Sequence, residues 1–185
     1  MNSINLKKRL DFVLPRYFKG IVGGAETLVG QLAEKLVENG FEVDILTTCA
    51  KDNRTWDNEL PAGIEKTDLL KIIRFPVDDR NLESWIPKQI AISEGMELSI
   101  EDQLEWMQES VNSKGLYKHI LDSKDNYDSF FFAPYMFGTT FWGSLIHPEK
   151  SILIPCLHNE AYAYLEIMQS MFSEVKGCLF NCNAE

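Results

Sequence analysis

The sequence predicts a doubly wound α/β fold. Two patterns carry this reading: short, near-continuous apolar runs of the kind that form strands covered on both faces, and intervening segments whose apolar residues recur with helical spacing. Composition agrees. With 185 residues, 45% hydrophobic and 25% charged, the chain suits one globular domain with a real core and lies outside the disordered, collagen-like and disulfide-scaffold classes.

Taken in order, Leu10–Pro15 (LDFVLP) reads as the first strand. A helix follows, its core face made by Ala25, Leu28, Val29, Leu32, Ala33, Leu36 and Val37, and Asn39-Gly40 stops it. Glu42–Thr48 and Lys71–Val77 are the next strands, joined by a polar stretch, Lys51–Asp68, that contains Pro61 and Gly63. Asp78–Leu98 shows no assignable period and reads as an insertion. A helix then begins near Ser99, where Ser99-Ile100-Glu101-Asp102 resembles a capping box, and runs to about Asn112; Gly115 separates it from a further turn through Leu121. Asp128–Pro134, Ser151–His158 and Gly177–Asn183 complete the strands, with helices at about Thr139–Ile146 and Glu160–Phe172. This alternation of strand and helix is what calls for a parallel sheet with helices on its faces. The segment Asn181–Glu185 reads as the start of another helix, so the expectation is one domain over residues 1–185 of a longer protein.

Charge and cysteine usage exclude several functions. Acidic residues outnumber basic ones 28 to 18, a net charge of −10 that repels a phosphate backbone, and no basic patch offsets it; nucleic acid is not an expected partner. Cys178 and Cys182, read as one strand, would stand ~13 Å apart at ~3.3 Å per residue, beyond the ~7 Å reach of a disulfide. Cys49 and Cys156 have no zinc-site spacing, so no metal is expected, and reduced, buried thiols of a cytoplasmic protein are the reading. Lys7-Lys8-Arg9 precedes an apolar run too short and interrupted for a signal peptide. Ser129–Ile146 is 18 residues without a charge, but Pro134, Gly138 and Gly143 interrupt it; a buried strand followed by a buried helix explains it, with membrane-surface contact as the alternative. From Gln89 to Ser113 six acids occur with no Lys or Arg, which is a solvated face or a surface for a basic partner.

In an open parallel sheet ligands bind at the carboxyl ends of the strands, near the point where strand order reverses. Three loops qualify. The first runs from Arg16 through Lys19, Gly23 and Gly24 to Glu26; its glycines admit a close backbone approach, and the helix start favours an anion such as phosphate. It matches neither GxGxxG nor the P-loop, and a plain glycine turn, with Glu26 complementing the helix dipole, is the alternative. The second, Pro134-Tyr135-Met136-Phe137-Gly138, supplies aromatics for a pocket floor or for the core. The third is Leu157-His158-Asn159-Glu160. Of the three histidines only His158 falls where a sheet presents functional groups, since His119 lies on a polar helix and His147 precedes Pro148 in a turn.

The series FVLPRYFKGIVGGAETLVGQLAEKLVENGFEVDILTT, IIRFPV, APYMFG, ILIPCLHNEAYAY and LFNCNAE resembles the N-terminal half of a retaining glycosyltransferase of the family 4 group, with the GT-B fold. The resemblance spans nearly the whole chain. It implies a Rossmann-like, acceptor-side domain of a hexosyl-type transferase that moves a sugar from a nucleotide-diphosphate donor to a sugar, lipid-linked or other small acceptor. The donor is held mainly by a C-terminal domain absent from this chain, no cofactor is used, and the enzyme is cytoplasmic, with contact at the inner face of a membrane open. Carried over by position, Gly23 and Gly24 are the loop approaching the donor diphosphate or acceptor, Glu26 the acid after them, and His158 the catalytic histidine beside the reacting sugar. Arg16, Lys19, Tyr135, Asn159 and Glu160 join them as substrate-binding candidates. Where the family often has His-Asp-Glu, this chain has His158-Asn159-Glu160. A fragment without the donor half is expected to be inactive. Two rivals stand beside this reading: a non-catalytic α/β module for a phosphate or sugar, and a nucleotide-dependent epimerase or dehydrogenase domain, which the missing GxGxxG disfavours.

Overall fold

In a computed structural model, residues 8–182 are described. Seven strands, β1 (Arg9–Val13), β2 (Glu42–Thr48), β3 (Gly63–Lys66), β4 (Lys71–Phe75), β5 (Ser129–Phe132), β6 (Ser151–Leu153) and β7 (Gly177–Cys178), form one sheet in the order β3-β4-β2-β1-β5-β6-β7. All neighbours are parallel except β3, which runs antiparallel to β4. Without β3 the parallel strands follow the Rossmann order, and their order reverses between β1 and β5.

Period-two alternation divides the core. Leu10, Phe12 and Leu14 join Val43, Ile45 and Ile72 on the face covered by α1 (Gly24–Glu38), whose Val29 and Ala33 are fully buried there. Val13, Leu46, Ile73, Phe130, Phe132 and Leu153 belong to the other face. That layer takes side chains from α2 (Leu82–Ser93), α3 (Ile100–Gln108), α4 (Lys114–Asp122), α5 (Gly138–Ser144) and α6 (Glu166–Glu174). The charge-free segment is therefore a buried strand and a buried helix, β5 and α5, and no described helix is long and apolar enough to cross a membrane.

Several sequence expectations give way at their ends. The strand predicted over Ser151–His158 stops at Leu153, because Pro155 has no N–H to continue the ladder after Ile154 N bonds Phe132 O at 2.8 Å. His158 thus stands in a loop beyond the strand rather than closing it. The last strand is only Gly177–Cys178, which leaves Cys182 outside it and exposed, while Cys49 is buried; Asn183 lies outside the described residues. The helix from Ser99 ends at Gln108, and Gly115 sits inside α4 instead of breaking the chain, since Ser113 caps α4 by accepting from Leu116 N. Glu160–Phe172 becomes a 3-10 turn, Ala161–Tyr164, followed by α6. The insertion Asp78–Leu98 holds α2, and the polar stretch Lys51–Asp68 holds β3.

Asp11 is the anomaly of the core. It sits in mid-β1 opposite Asp44, is fully buried, and neither carboxyl oxygen has a hydrogen-bond partner. Asp44 is satisfied by Lys71 Nζ at 2.5 Å, by the Tyr127 hydroxyl at 2.6 Å and by Arg9 at 3.9 Å. Burial, then the Asp44 charge, hold the Asp11 carboxyl well above its ordinary range, against weaker opposition from Lys71, the Phe12 amide and Arg9. A carboxyl raised in the folded state contributes stability that is complete below the unfolded value and is lost as pH rises through the folded one. The Asp11 contribution to unfolding free energy should therefore fall with rising pH, and Asp11→Asn should remove that part of the pH dependence. Parallel pH profiles for the two proteins in denaturant melts would show that Asp11 does not titrate as argued.

Candidate functional site

The loops after β1, β5 and β6 leave the sheet side by side. Leu14 N bonds Leu46 O at 3.0 Å, Ala133 N bonds Val13 O at 3.0 Å and Ile154 N bonds Phe132 O at 2.8 Å, so each ladder runs one step past its strand before the loop departs. This carboxyl edge includes the point of strand-order reversal, where α1 and α5 lie on opposite faces of the sheet.

The first loop is held by a partly buried ion pair, Arg16 Nε to Glu26 Oε1 at 2.8 Å. Arg16 also donates to Lys51 O at 3.1 Å, and Arg74 to Tyr17 O at 3.3 Å, which ties the loop to the ends of β2 and β4. Gly23 caps α1 in extended backbone, and a Cβ there would lie 2.1 Å from Glu26 Oε2. Gly23 is thus the place over which Glu26 folds its carboxylate. Gly24, the first residue of α1, has nothing within 4 Å of where a Cβ would stand, and its φ is outside the left-handed region. Any demand for a small residue at Gly24 comes from a ligand and not from this chain. Lys19 is exposed and, with Glu26, borders a hollow of about 310 Å³ beside Tyr17, Gly30 and Leu70 on the α1 side.

In the second loop Tyr135 is buried rather than flooring an open pocket; its ring packs 6.0 Å from that of Phe172, and its hydroxyl donates to Glu160 Oε1 at 2.9 Å. Burial first, then this bond, raise the Tyr135 hydroxyl far above its usual range, so it remains a donor at any working pH. The third loop carries His158 and Asn159 exposed. Glu160 N bonds His158 O at 2.9 Å, and Asn159 Oδ1 accepts from the Tyr164 hydroxyl at 2.9 Å. Among the described residues nothing hydrogen-bonds the His158 ring. The other two histidines are engaged inside: His147 is buried near Phe130 and reaches Leu121 O at 3.4 Å, and His119 packs against Phe75. Two groups are therefore assembled, Arg16–Gly23–Glu26 and Tyr135–Glu160, with His158 and Asn159 presented on the same edge and Lys19 to the side.

Sequence reasoning missed a third wall. After β2, Trp56 adopts a left-handed backbone with φ 60°, and Asn58 exchanges two bonds with Val77, Nδ2 to O at 3.0 Å and N to Oδ1 at 2.7 Å. Together with Asp79 and Arg80 they line a hollow of about 230 Å³ at the ends of β2 and β4. The signal was present in Trp56-Asp57-Asn58, an aromatic beside an amide in an otherwise polar loop directly after a strand.

No family model matches the sequence, and no curated protein matches it. A solved structure described as "Trehalose-6-phosphate from E. coli bound with UDP-2-fluoro glucose" aligns with 96% of this chain, at a TM-score of 0.54 and 10% identity. The likeness shows the fold alone, that of a Rossmann-like GT-B half. The chain spans 40% of that neighbour's length.

The Tyr135–Glu160 bond joins a core element to the third loop and gives a further expectation. Tyr135→Phe should cost about 1.5–3 kcal/mol, the net worth of one hydrogen bond to a charged acceptor, read as a lower urea midpoint at unchanged slope. An unchanged midpoint would show that Glu160 is held by something else.

Proposed function

We propose that this chain is the acceptor-side domain of a retaining hexosyltransferase of the family 4 type, which transfers a sugar from a nucleotide-diphosphate donor to a sugar, lipid-linked or other small acceptor. The observation that carries the reading is the joint placement of the glycine loop, the Tyr135–Glu160 pair and His158 on one carboxyl edge of a GT-B-type half. The neighbour's description names a nucleotide-sugar analogue, which supports the donor class. On this reading His158 offers its ring to a donor-sugar hydroxyl, and Glu160, fixed by Tyr135, accepts a substrate hydroxyl through its remaining lone pairs. The open helix start at Gly24 faces the diphosphate, where departing charge in an oxocarbenium-like transition state needs amide dipoles more than a strong base. On this reading the enzyme works in the cytoplasm or at the inner face of a membrane, and the chain alone, without a donor-binding half, is inactive.

The test is a screen of the full-length protein against nucleotide sugars, scoring acceptor-dependent release of nucleoside diphosphate. A second reading is the non-catalytic module in its sugar-binding form, favoured by one detail: Glu26 already neutralises Arg16, leaving that cation unavailable to a donor diphosphate. Sugar binding without product for any acceptor would favour the module.

A further inference from the structure

Next to the Trp56–Asn58 hollow, with which it shares Asp79, a groove of about 570 Å³ lies between the end of α3, the first turn of α4 and the C-terminal end of α5. Trp142 and Ile146 form its apolar side, and Asp79, Gln108, Lys114 and Tyr117 its polar side. None of these residues belongs to the loops after β1, β5 or β6. We propose that this groove is a separate carbohydrate site, taking a neutral, unphosphorylated pyranoside against Trp142.

Charge excludes a phosphate, and hydrogen-bonding capacity selects the ligand. Two of the acids around the groove are already used: Asp78 Oδ2 accepts from Lys114 N at 2.8 Å, at the start of α4, and Glu109 Oε2 accepts from Asn81 N at 2.7 Å. What remains is one carboxylate, Asp79, and one ammonium, Lys114, neither in an ion pair among the described residues. Asp78 and Glu109 keep their charge while accepting these N–H bonds, so three carboxylates face one ammonium and the groove repels a phosphate. A carboxylate, an ammonium and the Gln108 amide together supply acceptor, donor and both. Set beside the half-buried ring of Trp142, they form what a ring of hydroxyls with an apolar C–H face requires.

The floor is preformed. Asn112 Nδ2 donates to Met107 O at 3.1 Å, Gln108 O at 2.7 Å and Ser110 O at 3.1 Å, while its Oδ1 accepts from the Tyr117 hydroxyl at 2.6 Å. The same oxygen would stand 2.2 Å from a Cβ at Gly138, so the end of α3, α4 and the start of α5 are locked through one side chain. Phe141, edge-on to Trp142 at 4.7 Å, holds the indole. Binding to such a surface needs little ordering of the protein.

The four tryptophans give a direct readout. The chain, ¹⁵N-labelled, is titrated with maltose, cellobiose, lactose and chitobiose while the indole N–H resonances are followed. The expected result is a saturable millimolar shift of the Trp142 resonance, with those of Trp85 and Trp106 unmoved. Asp79→Ala and Lys114→Ala, both exposed and harmless to folding, should each weaken the response by ~5-fold, one hydrogen bond's worth. The proposal is overturned if Trp142 is unmoved by all four disaccharides, if glucose 6-phosphate or tyramine shifts it as strongly, or if both variants respond like the parent. No donor or turnover enters this experiment, so its result is independent of the transferase reading.

Discussion

On the proposed transferase reading, replacing His158 by alanine is expected to lower turnover of the full-length protein by ~100-fold or more, the loss of one transition-state donor, with no change in thermal unfolding. The two halves of that expectation come from different facts. The ring is exposed and has no hydrogen-bond partner among the described residues, so the fold loses nothing when it goes. Its position beside β6 on the carboxyl edge is where a reacting sugar would lie on the proposed reading. A contact made mainly in the transition state lowers kcat and kcat/KM together, which separates it from simple loss of substrate affinity. His147→Ala is the opposite control: that ring is buried beside Phe130 and near Leu121 O, so its removal should lower the melting temperature and leave turnover near normal. Near-normal turnover in His158→Ala would remove the main catalytic assignment.

The parallel core was legible because its strands are buried on both faces, and such strands announce themselves as unbroken apolar runs. β2 ends at Thr48 as read, but the ends of four others were not legible, for a shared reason. The predicted runs overshot into Pro15, Val77, Pro134 and His158, whereas β1, β4, β5 and β6 end at Val13, Phe75, Phe132 and Leu153, each within two residues of a proline that cannot donate to the ladder. β3 escaped notice because all four of its residues are exposed on an edge, with no buried face to leave an apolar pattern. α2 hides differently. Leu82, Ile86 and Ile90 do have helical spacing, but all three are exposed and Pro87 interrupts the run, so the period marks the side away from the core. At the site, residue positions were legible while partnerships were not. Nothing in the sequence says that Arg16 spends its charge on Glu26, or that Tyr135 is a buried donor to Glu160, because both pairings depend on how loops from different strands close.

That Arg16–Glu26 pairing sets apart two adjacent glycines whose substitutions should fail in different ways. At Gly23 a methyl group would meet the Glu26 carboxylate at 2.1 Å; the carboxylate ends a flexible side chain and can swing away, but only by giving up its 2.8 Å contact with Arg16. Gly23→Ala should therefore cost about 1 kcal/mol, the scale of a partly screened ion pair. At Gly24 the chain offers no obstacle, and alanine in the first turn of a helix should leave stability unchanged or raise it by up to ~1 kcal/mol. Activity should follow a different order. If a donor diphosphate or acceptor approaches the open backbone at the start of α1, the branches of a valine at Gly24 stand in its way, and Gly24→Val should lower kcat/KM by at least ~10-fold, about 1.4 kcal/mol, in a protein that melts normally. A normal kcat/KM in Gly24→Val would reduce the loop to a turn that serves only to let Glu26 reach Arg16.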